Sequence, residues 1–330
     1  MNMYDQEVGG SGKIIIAVAV VVAVTAAGFA LVGLTNVDNS GNPTTTPTQP
    51  LPLFDDEPIY IANNTDFVHK AQERGWSGTG TQNDPFVINH ENIQDPAYCI
   101  RIVDVTAYFV IRNCVLRCFE PGQGIGIYVR NSTNGVVESC DVSAGVSGVE
   151  LFLSHNFVIK NCSVFSPIFA VNMSGSHDNQ ILENDIESDF FAVSAIGSNR
   201  SLIQNNTIHG MDAGIVAQWS WNSTVRNNRI EMNNTGIDLQ VACHNWTLID
   251  NEVSVDRGVG ICISESSSFN RIFENHFSHV NGTNAIDNGM NNTWDDGINW
   301  GNWWSDYNGI GVYPIQGTAG SVDHYPRVLE

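Results

Sequence analysis

One short pattern returns along this chain about every 22 residues, and that period constrains the fold more than any other feature. Aligning VIRNCVL, VVESCDV, VIKNCSV, QILENDI, LIQNNTI, TVRNNRI, LIDNEV and IFENHF puts Cys114, Cys140, Cys162, Asn184, Asn206, Asn228, Asn251 and Asn275 in one column. The intervals are 26, 22, 22, 22, 22, 23 and 24. Aliphatic residues stand three positions before the column, from Ile111 to Ile272, and apolar ones two positions after it, from Leu116 to Phe277. A second alternating pair opens each unit, among them Ile125/Ile127, Val149/Leu151, Val171/Met173 and Ile237/Leu239. Alternation over so few residues is the mark of short strands.

Leucine-rich horseshoes and parallel β-helices both use periods of this size. A leucine-rich unit needs a Leu-dominated consensus and often a helical return. These units use Ile and Val, and their other halves are rich in Gly, Ser and Asn with no helical periodicity. The expected fold is all-β, a parallel β-helix of about eight coils of 22–26 residues. Coils stacked at about 4.8 Å turn each column into a file of like side chains. In such a file each buried Asn amide bonds the next and satisfies turn carbonyls that would otherwise cost about 1–3 kcal/mol each. Cys114, Cys140 and Cys162 substitute as small apolar residues, stacked as reduced thiols. The ends of a solenoid must be covered. Thr65 to Arg74 offer a short N-terminal helix before Gly75, and Trp294, Trp300, Trp303, Trp304, Tyr307, Tyr313 and Tyr325 offer an aromatic C-terminal cap.

Thirty-five acidic against 14 basic side chains give a formal net charge of −21. Such a surface repels nucleic acid and anionic lipid, which leaves cations, neutral glycans and basic partners. Residues 14–34 (IIIAVAVVVAVTAAGFALVGL) are 21 uncharged, mostly apolar positions, the length of one transmembrane helix, with a signal peptide as the alternative. The following run NPTTTPTQPLP reads as an extended linker. Eleven Asn-x-Ser/Thr sequons lie beyond it, acceptors for glycans if the body is exported and expected in any case from so Asn-rich a composition. The seven cysteines are an odd number, and none shows zinc-ligand spacing. The expected organisation is a tail at 1–13, the span at 14–34, the linker at 35–58, an N-terminal cap at 59–98, the coils at 99–286 and a C-terminal cap at 287–330.

Because residues 22 apart become neighbours, a site is sought down columns. Glu187, His209 and Glu231 share one, outward beside Ile186, Ile208 and Ile230, as candidates for general acid/base chemistry or as a charge-compensated surface stack. His155 and His177 share another, continued by Asn199, Trp221 and Cys243, and are the candidate metal ligands. The outward stripe of the longer strands reads Arg101, Gly126, Glu150, Asn172, Ser194, Val216, Asp238, Cys262, with Tyr128 and Phe152 in the column beside it. It lacks the clustered carboxylates of a pectinase-like centre. Tyr128, Phe152, Trp219 and Trp221, together with Trp246, offer aromatic faces for sugar rings and form the candidate ligand-binding set.

The opening GWSGTGTQNDPFVI (75–88), the N-C-x-V and N-N-x-I coils, and the closing GNWWSDYNG (301–309) with DHYP (323–326) resemble the archaeal and bacterial NosD-like right-handed parallel β-helix proteins, over about residues 59–328. That resemblance implies an extracytoplasmic body. Its namesake is an accessory for assembling the copper site of nitrous oxide reductase, and related repeats occur in carbohydrate-binding proteins and sugar-cleaving enzymes. The Asp-rich stretch often found after the closing motif is here the shorter IGVYPIQGTAG. No cofactor is firmly implied, with copper and calcium left open. The favoured expectation is a membrane-tethered module, extracellular in its body, that binds glycans or cell-envelope and surface proteins without catalysis. A polysaccharide lyase or glycoside hydrolase and a NosD-like accessory for copper-site assembly are the alternatives.

Overall fold

The computed structural model describes residues 56–119 and 122–329. The tail, the apolar span at 14–34 and nearly all of the linker lie outside them. Among the described residues no helix is long and apolar enough to cross a membrane.

Each coil consists of three short strands joined by tight corners, as in Val158–Lys160, Ser163–Ser166 and Phe169–Ser174. Their Ile159, Val164 and Val171 are buried in the core. Each strand pairs in parallel with its counterparts on both sides: Ile159 with Val137 and Ile181, Val164 with Val142 and Ile186, Val171 with Val149 and Val193. The first face is a nine-stranded sheet running from Phe86–Asn89 to Arg271–Phe273. The second and third faces merge into one 19-stranded sheet, because Glu252–Ile263 and His276–Asp287 run from one into the other without a break.

The result is an all-β, right-handed-type parallel β-helix of about ten coils, two more than expected. The extra ones escape the pattern for a simple reason. Ile59–Ile61 and Tyr98–Val103 form rungs ahead of the first column residue, where Glu91 rather than Cys or Asn stands one rung before Cys114. At the other end Asn302 follows Asn275 after 27 residues instead of 22, and its Oδ1 accepts the Asn275 amide at 3.1 Å.

One left-handed residue makes the corner between the first and second faces. Asn113, Ser139, Asn161, Glu183, Asn205, Asn227, Asp250 and Glu274 have φ between 51° and 58°. Asn and Asp tolerate this region better than most side chains. Asn131, Asn161, Asn205, Asn222, Asn245 and Asn291 occupy such corners and also head sequons, so backbone geometry accounts for their recurrence.

The helix Asn64–Arg74 starts one residue before the expected Thr65. Asn63 caps it by accepting the Asp66 N–H at 2.9 Å, and Gly75 ends it at φ 70°. It buries Phe67 against Phe86 and Phe109, at ring separations of 4.7 and 5.5 Å. At the far end Trp304 lies between Phe277 and Tyr313, at 5.0 and 4.2 Å, in an aromatic stack over the last coil.

Candidate functional site

Polar files run through the corners of the coils, and they are structural. Asn206 shows the unit: its Oδ1 accepts both the backbone N–H and the Nδ2 of Asn184 at 2.9 and 3.0 Å, and its own Nδ2 donates to the Ile181 and Gln204 carbonyls. The same bonds link Asn228, Asn251, Asn275 and Asn302. Cys114, Cys140 and Cys162 begin this file as free, buried thiols, with Cys162 Sγ taking the Cys140 N–H at 3.5 Å. Its two thiol neighbours and its burial push the Cys140 thiol pKa strongly up. A second file, of Ser132, Ser154, Ser176, Ser198 and Ser220, repeats the device with hydroxyls at 3.0–3.2 Å. Sequence reasoning missed it, since serine is too common here for a column of it to stand out.

Glu187, His209 and Glu231 are neighbours on successive rungs of the second face. Their bonds lead elsewhere. His209 Nε2 lies 3.1 Å from Asp185, and Arg229 binds Glu231 through Nε at 2.9 Å. Both carboxylates of the set are exposed. What the structure assembles there is a solvated file of charges.

His155 and His177 stack with ring centroids 5.0 Å apart and planes 15° from parallel. Their Nδ1 atoms accept backbone N–H bonds from His177 and Asn199, at 2.9 and 3.2 Å, which leaves only the Nε2 atoms for a metal. In two nearly parallel planes so far apart, those lone pairs do not converge on an ion that needs nitrogen at about 2.0 Å. Burial pushes both imidazole pKa values down. Cys243 does not continue this column, because a register shift beyond Ala217 places His244 beside Trp221 and moves Cys243 into the serine file. Among the described residues no group of three or more His, Cys, Asp or Glu is arranged to hold a metal ion.

The four aromatic candidates separate into two places. Trp219 and Trp221, 39% and 42% exposed, sit at the corner that leads into the first face. Trp246 belongs to the core, fully buried with its Nε1 on the Ser220 carbonyl at 2.9 Å. Tyr128 and Phe152 lie on the third face in adjacent columns. The register there differs from the expected one: Tyr128, not Gly126, pairs with Arg101 and Glu150, while Phe152 pairs with Arg130 and Ser174. Three alternating aliphatics, Ile125, Ile127 and Val129, permit either alignment, and the longer coil between Arg101 and Tyr128 hides the true one.

The corrected outward file reads Arg101, Tyr128, Glu150, Asn172 and Ser194 on five successive rungs. The Arg101 guanidinium lies 6.0 and 5.8 Å from the ring centroids of Tyr98 and Tyr128, and these two rings are 5.5 Å apart. Burial pushes the Glu150 carboxyl up to about 7. Burial also raises the Tyr128 phenol, the Glu150 charge adding to it. Asn172 Oδ1, Ser174 Oγ and Ser194 Oγ are buried and find no hydrogen-bond partner among the described residues. The next carboxylate along the file, Asp238, stands four rungs beyond Glu150, about 19 Å away. Two carboxylates acting on one glycosidic bond stand about 5–9.5 Å apart.

A family model described as "Periplasmic copper-binding protein (NosD)" matches residues 102–309. No curated protein sequence matches the chain. Among solved structures, the Dettilon tailspike protein is similar at 13% identity and TM-score 0.52, over 64% of this chain and 57% of the tailspike. The chain thus spans little more than half of that protein, and at this identity the likeness is one of fold. DFA-IIIase from Arthrobacter chlorophenolicus A6 matches at 11% identity and TM-score 0.47, over 81% of this chain and 91% of the enzyme. The A-module of an Azotobacter vinelandii mannuronan C-5 epimerase matches at 12% identity and TM-score 0.46, over 74% and 79%.

Proposed function

The chain belongs to the family described as periplasmic copper-binding protein (NosD), and from that premise we propose that it works outside the cytoplasm as a non-catalytic, glycan-binding β-helix. The carrying observation is the file of Arg101, Tyr128, Glu150, Asn172 and Ser194, in which an aromatic ring stands between a guanidinium and a carboxyl, and polar atoms two and three rungs beyond it have no hydrogen-bond partner among the described residues. Tyr128 offers a face for a sugar ring, and the part-exposed Arg101 and Asn172 side chains offer bonds to sugar hydroxyls. The four-rung gap between Glu150 and Asp238 in this file favours binding over cleavage. Copper carriage finds less support, because His155 and His177 each spend Nδ1 on the backbone and direct Nε2 along separate planes. The apolar residues 14–34 tether the module to a lipid bilayer on this reading.

One experiment tests binding and cleavage together. The full chain is passed over a panel of immobilised polysaccharides, and the eluates are assayed for reducing ends and unsaturated products. Retention by at least one polysaccharide without release of products is expected. Release of products overturns the non-catalytic reading, and retention by none overturns the glycan reading.

A further inference from the structure

The charges around Tyr128 narrow the ligand class, on the reading that the third face binds glycans. The chain carries far more acid than base, and Lys70, Arg74, Arg117, Lys160, Arg200 and Arg229 are each paired with a carboxylate. Among the described residues Arg101, Arg112, Arg130, Arg226, Arg257, Arg271 and Arg327 are in no such pair, and of these Arg101 and Arg130 flank Tyr128 on neighbouring strands. Asp104 follows the strand neighbouring Arg130, and its carboxylate is engaged by the Asn131 amide at 2.7 Å. Arg101 pairs in register with Tyr128, and Arg130 lies two residues beyond Tyr128 on the same side of the strand. The two arginines are thus diagonal neighbours with backbones about 8 Å apart.

We infer that this site takes an acidic glycan, whose carboxylate or sulfate sits between Arg101 and Arg130 while its ring lies against Tyr128. Two guanidiniums that lack internal anions make charge-assisted bonds to such a group, and these are stronger than bonds between neutral partners. The negative charge of the chain discourages anions over much of its surface, so a spot where two arginines flank one aromatic ring is where an acidic ligand gains most. Glu150 does not oppose the ligand near neutral pH, since burial keeps a large share of its carboxyl protonated and able to donate a hydrogen bond.

The test compares acidic polysaccharides with their neutralised forms on the full chain at physiological salt. Polygalacturonate, alginate and hyaluronan are each paired with the carboxyl-esterified polymer, and dextran sulfate with dextran. At least one acidic member is expected to bind about tenfold or more tighter than its neutral partner. The carboxylate pairs and the sulfate pair tell the two anion sources apart. Arg101→Gln/Arg130→Gln should lose that preference while keeping the wild-type circular dichroism spectrum and melting temperature. Arg101→Lys/Arg130→Lys, which keeps the charge, should retain part of it. Equal binding of acidic and neutral forms, or a preference that survives the Gln variant, overturns the acidic class and leaves the glycan reading standing. Binding of neither form overturns both.

Discussion

Asp323 terminates the asparagine file at Asn302, accepting the Asn302 backbone N–H on Oδ2 at 2.7 Å. The same oxygen takes the Trp304 indole N–H at 2.9 Å, and Oδ1 takes the Tyr325 N–H at 2.9 Å. A file in which every amide donates forward needs an acceptor at its end, and a carboxylate supplies one that donates nothing. Gly301 stands in the closing motif because a Cβ there would meet Asp323 Oδ1 at 1.9 Å. Asp323→Ala leaves two buried donors and one part-buried donor unpaired, each buried one at about 1–3 kcal/mol. A loss of about 3 kcal/mol or more is expected in denaturant unfolding; a loss under about 1 kcal/mol would show that the file needs no terminal acceptor.

Within the file, Asn206→Ala removes an acceptor for two donors of Asn184 and a donor to two carbonyls. It should cost about 3 kcal/mol or more. Asn206→Cys should cost clearly less, because Cys162 already serves this role two rungs earlier in the chain's own file, accepting from Cys140 N at 3.5 Å and donating to Lys160 O at 3.2 Å. Chevron or equilibrium unfolding of both variants ranks them, and the reverse order would mean that size, not hydrogen bonding, governs the column.

The asparagine column was legible because a 22-residue period repeated one uncommon pattern with few interruptions. The serine file was not: its members are ordinary residues, and Cys243 replaces serine in its next rung. Nor was the third-face register legible, since a side chain's partner there depends on how many residues the preceding corner consumes. One bulge beyond Ala217 was enough to move Cys243 away from the histidine column. The residues of the candidate site were therefore visible in the sequence, whereas the alignment of Tyr128 with Arg101 and Glu150 required the strands themselves. The closing motif was recognisable by its letters, and the Gly301–Asp323 contact now gives its physical reason.

Glu150 imposes a pH dependence of defined sign. Its folded value, about 7 against an ordinary 4.5, is raised by burial, so the native state holds the proton more tightly than the unfolded chain. The stabilisation is complete below about pH 4.5 and is lost as pH rises towards 7. Glu150→Gln should flatten the melting profile across that window and exceed wild type at pH 8, by on the order of 2 kcal/mol. Parallel profiles would place the carboxyl in full contact with water.

Thiol chemistry offers an independent check of packing. Six of the seven cysteines are buried and all are free, while burial holds the half-exposed Cys262 thiol at about 11. Native protein at pH 7.5 should react only slowly with a disulfide reagent, and all seven thiols should titrate at once in denaturant. Fast native labelling of several thiols would contradict the stacked core.

The histidine pair can be tested directly for copper. Wild type and His155→Ala/His177→Ala, exposed to copper and desalted, should retain equal metal by atomic absorption. Loss of a stoichiometric equivalent in the variant would show that the stacked rings reorient to bind.

The location of the binding face is the central claim, and side-by-side retention of Tyr128→Ala and Trp221→Ala on the polysaccharide that holds wild type tests it most directly. The expected result is that Tyr128→Ala weakens retention by about tenfold, within the range of a lost stacking face, while Trp221→Ala elutes with wild type. Full retention of Tyr128→Ala together with loss in Trp221→Ala would move the site to the tryptophan corner and contradict the account.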